Sequence, residues 1–115
     1  MLPKKERLGR KDIELFFREK TKTYKGGALL LKIKKRTTSK DVRWAFAISS
    51  AIKKNAVARN KTRRRMNEIA ENLKESIQGG LDMVFLIKLN TKRPPSFKTL
   101  KDDMIHILKS CGALL

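Results

Sequence analysis

The chain is poor in the residues from which most protein catalytic and metal sites are built. Cys111 is its only cysteine and His106 its only histidine. An internal disulfide is therefore excluded, and so is a cysteine-based zinc site. Any Ser-His-Asp, Cys-His or histidine-rich metal arrangement would have to use His106, which we expect to be structural or exposed.

Long apolar runs are absent as well. The longest, such as Ala28–Leu31 and Met83–Ile87, are far shorter than the ~20 residues that a transmembrane helix needs. The N-terminus also lacks the apolar stretch of a signal peptide. We therefore expect a reducing, cytoplasmic location and no membrane partner.

Acidic residues are scarce relative to basic ones. Lys and Arg number 29 against 11 Asp and Glu in 115 residues, a net charge of +18. The apolar content predicts one folded domain over residues 1–115, with residues 1–9 as a basic N-terminal arm. Self-repulsion at this charge favours a polyanionic partner, nucleic acid first, and a partly unfolded free state that sulfate or phosphate stabilises.

The first predicted element is a short helix that begins at Asp12. Ile13, Phe16 and Phe17 have the i, i+3, i+4 spacing of one helix face, and Lys20 suits the last turn. One of the two phenylalanines should enter the core. Whether the other lines a cleft stays open.

Two strands are predicted next, over Ala28–Lys35 and Asp41–Ser50, with a polar turn at residues 36–40. Alternation places apolar side chains on one face of each strand: Leu29, Leu31 and Ile33 in the first, and Val42, Trp44, Phe46 and Ile48 in the second. Lys32 and Lys34 fall on the opposite face of the first strand. We expect the two strands to form an antiparallel hairpin.

The second half predicts a long helix from Asn55 to Gln78, a buried central strand over Leu81–Leu89 and a helix over Ser96–Ser110. A capping box of Thr99 and Asp102 would suit a late start of the last helix. The whole pattern is that of an α+β domain, a small sheet of about four strands with helices packed on it.

A basic cluster at residues 53–65 carries seven cations and no acid. Helical geometry points Asn60, Lys61, Arg64 and Arg65 outward and Thr62 inward, with Arg59 and Arg63 at the border. Cations at a helix N-terminus oppose each other and the helix dipole, whereas phosphate binds well there. The cluster therefore predicts a phosphate-binding surface, and a strand directly before the helix favours RNA over DNA.

These residues resemble the protein component of bacterial ribonuclease P. The signature N-A-V-x-R-N-R-φ-K-R, in which φ is apolar, is matched over residues 55–64, and Arg7-Leu8 and Phe16-Phe17 resemble the start of the family. The resemblance covers essentially the whole chain. Three departures stand out: Lys54 replaces a usual Gly, Thr62 an apolar residue and Ile13 an aromatic one.

The resemblance implies an accessory subunit of a ribonucleoprotein whose RNA cuts precursor tRNA to leave the mature 5′ end. Mg²⁺ would be held mainly by the RNA and substrate, with none tightly bound by the protein. It also implies a ribonuclease P protein-like fold with an uncommon left-handed crossover. The partners would be ribonuclease P RNA and precursor tRNA, and weak self-association without RNA stays open.

The implied sites are two. The residues expected on the catalytic RNA are Lys53, Lys54, Asn55, Arg59, Asn60, Lys61, Arg63, Arg64 and Arg65. A cleft for the single-stranded 5′ leader would use Ile13, Phe16, Phe17, Lys32 and Lys34. The main alternative is a structural RNA-binding protein of ribosomal type. A DNA-binding regulator and a protein-only nuclease are disfavoured, because base-reading residues and acid clusters are missing.

Overall fold

The computed structural model describes residues 2–19, 21–36 and 40–114. In these ranges a helix α1 is followed by three strands, a long helix α2, a fourth strand and a helix α3. Their bounds are α1 Arg10–Arg18, β1 Lys22–Lys25, β2 Leu30–Lys35, β3 Arg43–Ser50, α2 Ala56–Leu73, β4 Leu81–Leu89 and α3 Phe97–Ser110. The predicted α+β class is confirmed. Lys20 and residues 37–39 of the predicted turn lie outside the described residues.

The four strands form one mixed sheet in the order β1-β2-β4-β3. β1 and β2 are antiparallel, β4 is antiparallel to β2, and β3 lies parallel to β4. The expected hairpin between the second and third of these strands is therefore wrong. β4 occupies the place between them because its side chains are buried on both faces of the sheet, as the continuous apolar run of Leu81–Leu89 predicted.

One face of the sheet carries the main core. Trp44 and Phe85 stack there with ring centroids 6.0 Å apart, and Phe46 packs against Phe85 at 6.3 Å. Helices α2 and α3 cover this face with apolar residues that are fully buried, Met66, Ile69 and Ala70 from the first and Leu100, Met104, Ile107 and Leu108 from the second. The predicted alternation of β2 and β3 is confirmed by this arrangement.

The opposite face is covered in part only. Phe16 of α1 packs with Leu8, Ala45 and Val84 in a second, smaller apolar cluster. The N-terminal arm supports this cluster, because the Leu8 N–H donates to the Trp44 carbonyl at 2.9 Å along the outer edge of β3. The rest of this face is left open beside α1.

Helix α2 ends earlier than its apolar spacing predicted. It ends at Leu73, a 3-10 turn follows over Lys74–Ser76, and Ile77 is extended. Ile77 is buried as expected, but it bridges to Leu114 near the C-terminus instead of continuing the helical stripe. The pairing with the chain end competes with the last helical turn and replaces it.

Helix α3 begins one residue after the predicted position, and its cap differs. The Ser96 side chain accepts a hydrogen bond from the Thr99 N–H at 3.1 Å, so Ser96 is the N-cap. The expected capping box of Thr99 and Asp102 is therefore wrong. Asp102 instead makes an exposed ion pair with Lys98.

Candidate RNA-binding surfaces

Helix α2 presents a basic surface along its first three turns. Its side chains and those of the preceding loop are exposed at Lys53, Lys54, Asn60, Lys61, Arg63 and Arg64, which we call the basic face. Arg59 is half-buried at the border. Thr62 is fully buried and donates to the Ala58 carbonyl at 2.8 Å, so the predicted inward direction is confirmed.

Lys54 occupies an unusual backbone conformation just before the helix. Its φ is 56°, the left-handed region. Among the described residues it is the one non-glycine residue with a positive φ. A glycine adopts this conformation without steric cost, whereas the Cβ of a lysine is crowded by the neighbouring carbonyl.

Asn55 lies inside the protein rather than on the basic face. It is 4% exposed, and its amide nitrogen donates to Ser50 Oγ at 2.8 Å and to the Thr91 carbonyl at 3.1 Å. Its side chain thereby joins the end of β3, the start of α2 and the loop after β4. The geometry gives Asn55 a positioning role for the helix start instead of the expected place among exposed contacts.

Arg65 departs from the outward direction predicted for it. It is half-buried, and its Nη1 donates to the Pro95 carbonyl at 2.5 Å. Together with the bond from Asn55 to Thr91, this contact fixes both ends of the loop at residues 90–95 to α2. Lys92 and Arg93 are exposed in that loop and so add two cations beside the basic face.

A groove lies on the open part of the sheet, on the face opposite the main core. Its volume is about 700 Å³, and its lining includes Ala28, Leu30, Ala47, Leu86, Lys88 and Arg63. None but Arg63 was expected at a functional site. The available signal was the run of small residues Ala45, Ala47 and Ser49 on the face of β3 away from Trp44, because small side chains leave a sheet face open.

The two phenylalanines of α1 have different places. Phe16 is 3% exposed in the second cluster, whereas Phe17 is 46% exposed. Lys32 Nζ lies 5.3 Å from the centroid of the Phe17 ring, within cation–π distance. Phe17 is therefore the aromatic ring at the surface, and Phe16 supports α1 from beneath.

The other expected cleft residues lie around α1. Lys34 makes an ion pair with Glu19 at the end of the helix. Ile13 lines a smaller pocket of about 230 Å³ together with Arg7, Ala45, Phe46, Arg63 and Asn67. Ile13 and Phe17 are thus brought to the edges of the open face, and Arg63 borders both the pocket and the groove.

A charged network supports the start of α1 on the sheet. Asp82 of β4 is 5% exposed and accepts two hydrogen bonds from Arg43, at 2.9 and 2.8 Å, while Arg36 Nε lies 2.7 Å away. Arg43 also reaches Asp12 at 3.5 Å. The hydrogen bond to Asp82 raises the pKa of Arg43 above its ordinary value, against the opposing effect of burial. Arg36 and Arg43 thus make ion pairs within the protein, whereas the side chains of the basic face are exposed.

The described residues contain no group of three or more His, Cys, Asp or Glu side chains that could hold a metal ion. His106 is exposed on α3 and Cys111 is half-buried at its end. Within the same residues, the helices are too short or too polar for a bilayer span.

The chain is similar to known proteins in sequence and in fold. A ribonuclease P protein component from Pseudanabaena is 29% identical over 114 residues, covering 99% of this chain and 97% of that protein. The RNase P protein of Staphylococcus aureus superposes with a TM-score of 0.78 at 18% identity, covering 96% of this chain and 98% of its own. That of Thermotoga maritima gives 0.68 at 25% identity, with 91% and 96% covered.

The resemblance drawn from the signature residues is thereby confirmed. The match to the ribonuclease P family extends over residues 2–112 and includes α1, the whole sheet, α2 and α3. By this match over nearly its full length, the chain belongs to the ribonuclease P protein family.

Proposed function

We propose that the chain is the protein subunit of a ribonuclease P ribonucleoprotein and assists removal of the 5′ leader from precursor tRNA. The observation that carries the proposal is the pairing of two surfaces on one small domain. The basic face of α2 suits a structured RNA, and the open groove beside α1 suits a single strand. Arg63 borders the groove and also belongs to the basic face, so the two surfaces adjoin.

The basic face would bind the ribonuclease P RNA. It combines exposed cations with the first turns of a helix, whose free N–H groups and dipole favour phosphate. Exposed cations at i, i+3 and i+4, such as Lys61 and Arg64, repel each other in the free protein. Phosphates between them remove that repulsion, so binding of RNA stabilises the arrangement.

The groove would hold the 5′ leader near the cleavage site. Its lining combines small and apolar side chains with Lys88 and Arg63, and Phe17 with Lys32 stands beside it on the same sheet face. Aromatic stacking and phosphate neutralisation bind single strands with little dependence on sequence. A subunit that serves many precursor tRNAs needs this kind of recognition.

The chemistry would remain with the RNA. Hydrolysis adds water across the phosphodiester bond, so that the tRNA keeps the 5′ phosphate and the leader leaves with a 3′ hydroxyl. The described side chains provide no carboxylate or histidine cluster suited to hold Mg²⁺ tightly. We therefore assign Mg²⁺ to the RNA and substrate, and to the protein the task of lowering repulsion between these two polyanions.

Reconstitution tests the proposal. Labelled precursor tRNA is incubated at low Mg²⁺ with a bacterial ribonuclease P RNA, with and without the protein, beside a lane with protein alone. Cleavage at the mature 5′ end should require both RNA and protein. A Lys61→Glu, Arg64→Glu variant should lose this rescue, because both side chains are exposed on the basic face.

The matched control is Lys98→Glu, Lys109→Glu, an equal charge change on exposed positions of α3. It should keep most of the rescue. Tight RNA binding without rescue would favour the structural, ribosomal type of RNA-binding protein. Cleavage by the protein alone would contradict the assignment of the chemistry to RNA.

A further inference from the structure

The turn between β1 and β2 is held by a side chain from a distant part of the chain. Asp103, in the middle of α3, accepts hydrogen bonds from three consecutive backbone N–H groups. The distances are 2.6 Å from Gly27, 3.0 Å from Ala28 and 2.7 Å from Leu29. Three amide donors on one carboxylate make a charge-assisted cluster that is stronger than neutral hydrogen bonds.

The turn needs such support because its own geometry is unfavourable. Gly26 N–H donates to the Leu29 carbonyl at 2.8 Å, which closes a two-residue loop of Gly27 and Ala28. Tight hairpin loops of this length usually have a positive φ at the first central residue, which matches the twist of the strands. Neither Gly27 nor Ala28 has one. The turn therefore depends on an outside partner to hold its amides.

The close fit of α3 explains the glycine at the start of the turn. A Cβ on Gly26 would lie 2.7 Å from Ile107 Cδ1 and would also collide with the Asp103 carboxylate. The turn and α3 are therefore in direct contact, with no room for a side chain between them. This close contact holds the Asp103 carboxylate at a fixed distance from the turn, as a positioning residue requires.

The turn also forms one end of the open groove. Ala28 and Leu30 line the groove, although α3 packs on the opposite face of the sheet. Asp103 thus connects α3 to a turn whose residues line the groove on the other face of the sheet. A change at Asp103 would release the backbone of Ala28, and with it the position of Leu30, without altering any side chain of the groove.

We infer that Asp103 is a positioning residue for the leader groove: by holding the amides of Gly27, Ala28 and Leu29, it fixes the wall against which the 5′ leader lies. The inference rests on the proposed function. Asp103→Asn replaces one acceptor oxygen with an amide donor that faces backbone N–H groups, so the turn should be released at nearly constant side-chain size.

The test compares precursor tRNAs with a leader of several nucleotides and with a leader of one nucleotide, bound to the reconstituted holoenzyme. The wild type should bind the longer leader more tightly. Asp103→Asn should reduce this advantage about tenfold, the equivalent of one lost base contact, while binding of the one-nucleotide substrate stays unchanged. Asp102→Asn is the matched control, since its exposed carboxylate makes an ion pair with Lys98 of the same helix.

The outcomes separate the two claims. A wild type with no leader advantage overturns the groove's proposed role, and the inference about Asp103 with it. A normal advantage in Asp103→Asn overturns the inference alone, as does an equal loss for both substrates, which marks general destabilisation. If Asp103→Asn does not fold, Asp103→Ser decides: its shorter side chain cannot reach the three amides, so the leader advantage should fall in the same way, and a retained advantage refutes the inference.

Discussion

At the scale of single residues, Lys54 combines an exposed charge with an unfavourable backbone conformation. Its φ of 56° lies in the left-handed region, where a Cβ is crowded by the neighbouring carbonyl. The exposed ammonium adds to the basic face. A residue without a Cβ would relieve the backbone and would remove the charge.

Replacing Lys54 by Gly should therefore stabilise the free protein by up to about 1.5 kcal/mol. The left-handed penalty of roughly 1–2 kcal/mol disappears, and the flexibility of glycine in the unfolded chain offsets roughly 0.5–1 kcal/mol of that gain. The measurement is the urea midpoint at constant salt. Lys53→Gly is the control, because Lys53 is exposed but has no positive φ, and it should give no gain. Equal midpoints for the two variants would contradict the prediction.

The adjacent phenylalanines show where single-residue prediction from the sequence stops. Both Phe16 and Phe17 fit the apolar side of a short amphipathic helix, since they follow Ile13 at i+3 and i+4. The choice depends on what α1 packs against, namely Leu8, Ala45 and Val84. Those contacts join residues far apart in the chain, so the local pattern could not identify Phe17 as the exposed ring.

At the scale of elements, the strands were predictable and their neighbours were not. The alternation of β2 and β3 indicated correctly which side chains enter the core, and the apolar run of β4 indicated a strand buried on both sides. Alternation says nothing about which strand lies next to which, however. β1 was missed because Lys22–Lys25 is almost entirely polar, and of its side chains Tyr24 alone packs against the core.

Helix α2 shows the same limit at its two ends. Ile77 keeps the helical phase, yet it is extended because it pairs with Leu114. At the N-terminus of the helix, the position of Asn55 in the basic cluster predicted a contact with RNA, but its side chain is buried and hydrogen-bonded to Ser50 and Thr91. In both cases a partner from a distant part of the chain determines what the side chain does. The local sequence pattern therefore could not predict it.

The two asparagines at the start of α2 should therefore respond differently to alanine. Asn55→Ala removes buried hydrogen bonds to Ser50 and Thr91 and should cost about 1–3 kcal/mol of unfolding free energy. Asn60→Ala, on the exposed face of the same helix, should leave stability within about 0.5 kcal/mol and lower RNA affinity. Thermal unfolding and RNA titration of both variants measure this. An Asn55→Ala protein as stable as the wild type would contradict the structural role.

At the scale of the whole molecule, the excess of positive charge opposes folding. Lys and Arg exceed Asp and Glu by 18 in a chain of 115 residues, and the described ion pairs engage only some of the cations. The cations of the basic face repel one another in the folded state. Any anion that binds the folded chain more tightly than the unfolded chain will therefore shift the folding equilibrium.

Sulfate should accordingly raise the urea midpoint more than chloride at equal ionic strength. Both salts screen repulsion, but sulfate also binds between neighbouring cations; at a concentration of a hundred times its Kd, one bound ion adds about 2.7 kcal/mol. The Lys61→Glu, Arg64→Glu variant should show a smaller difference between the two salts than the Lys98→Glu, Lys109→Glu control. Identical midpoints in sulfate and chloride for the wild type would show that screening alone acts.

The position of β4 between β2 and β3 also has a consequence for synthesis of the protein. On the ribosome, β2 and β3 emerge before their common neighbour β4, and the four-stranded sheet can form only after Leu89 has been made. Helix α2 emerges in the interval. The most cationic segment of the chain is thus exposed to the surrounding RNA before the sheet behind it is complete, and the core forms late in translation or after release.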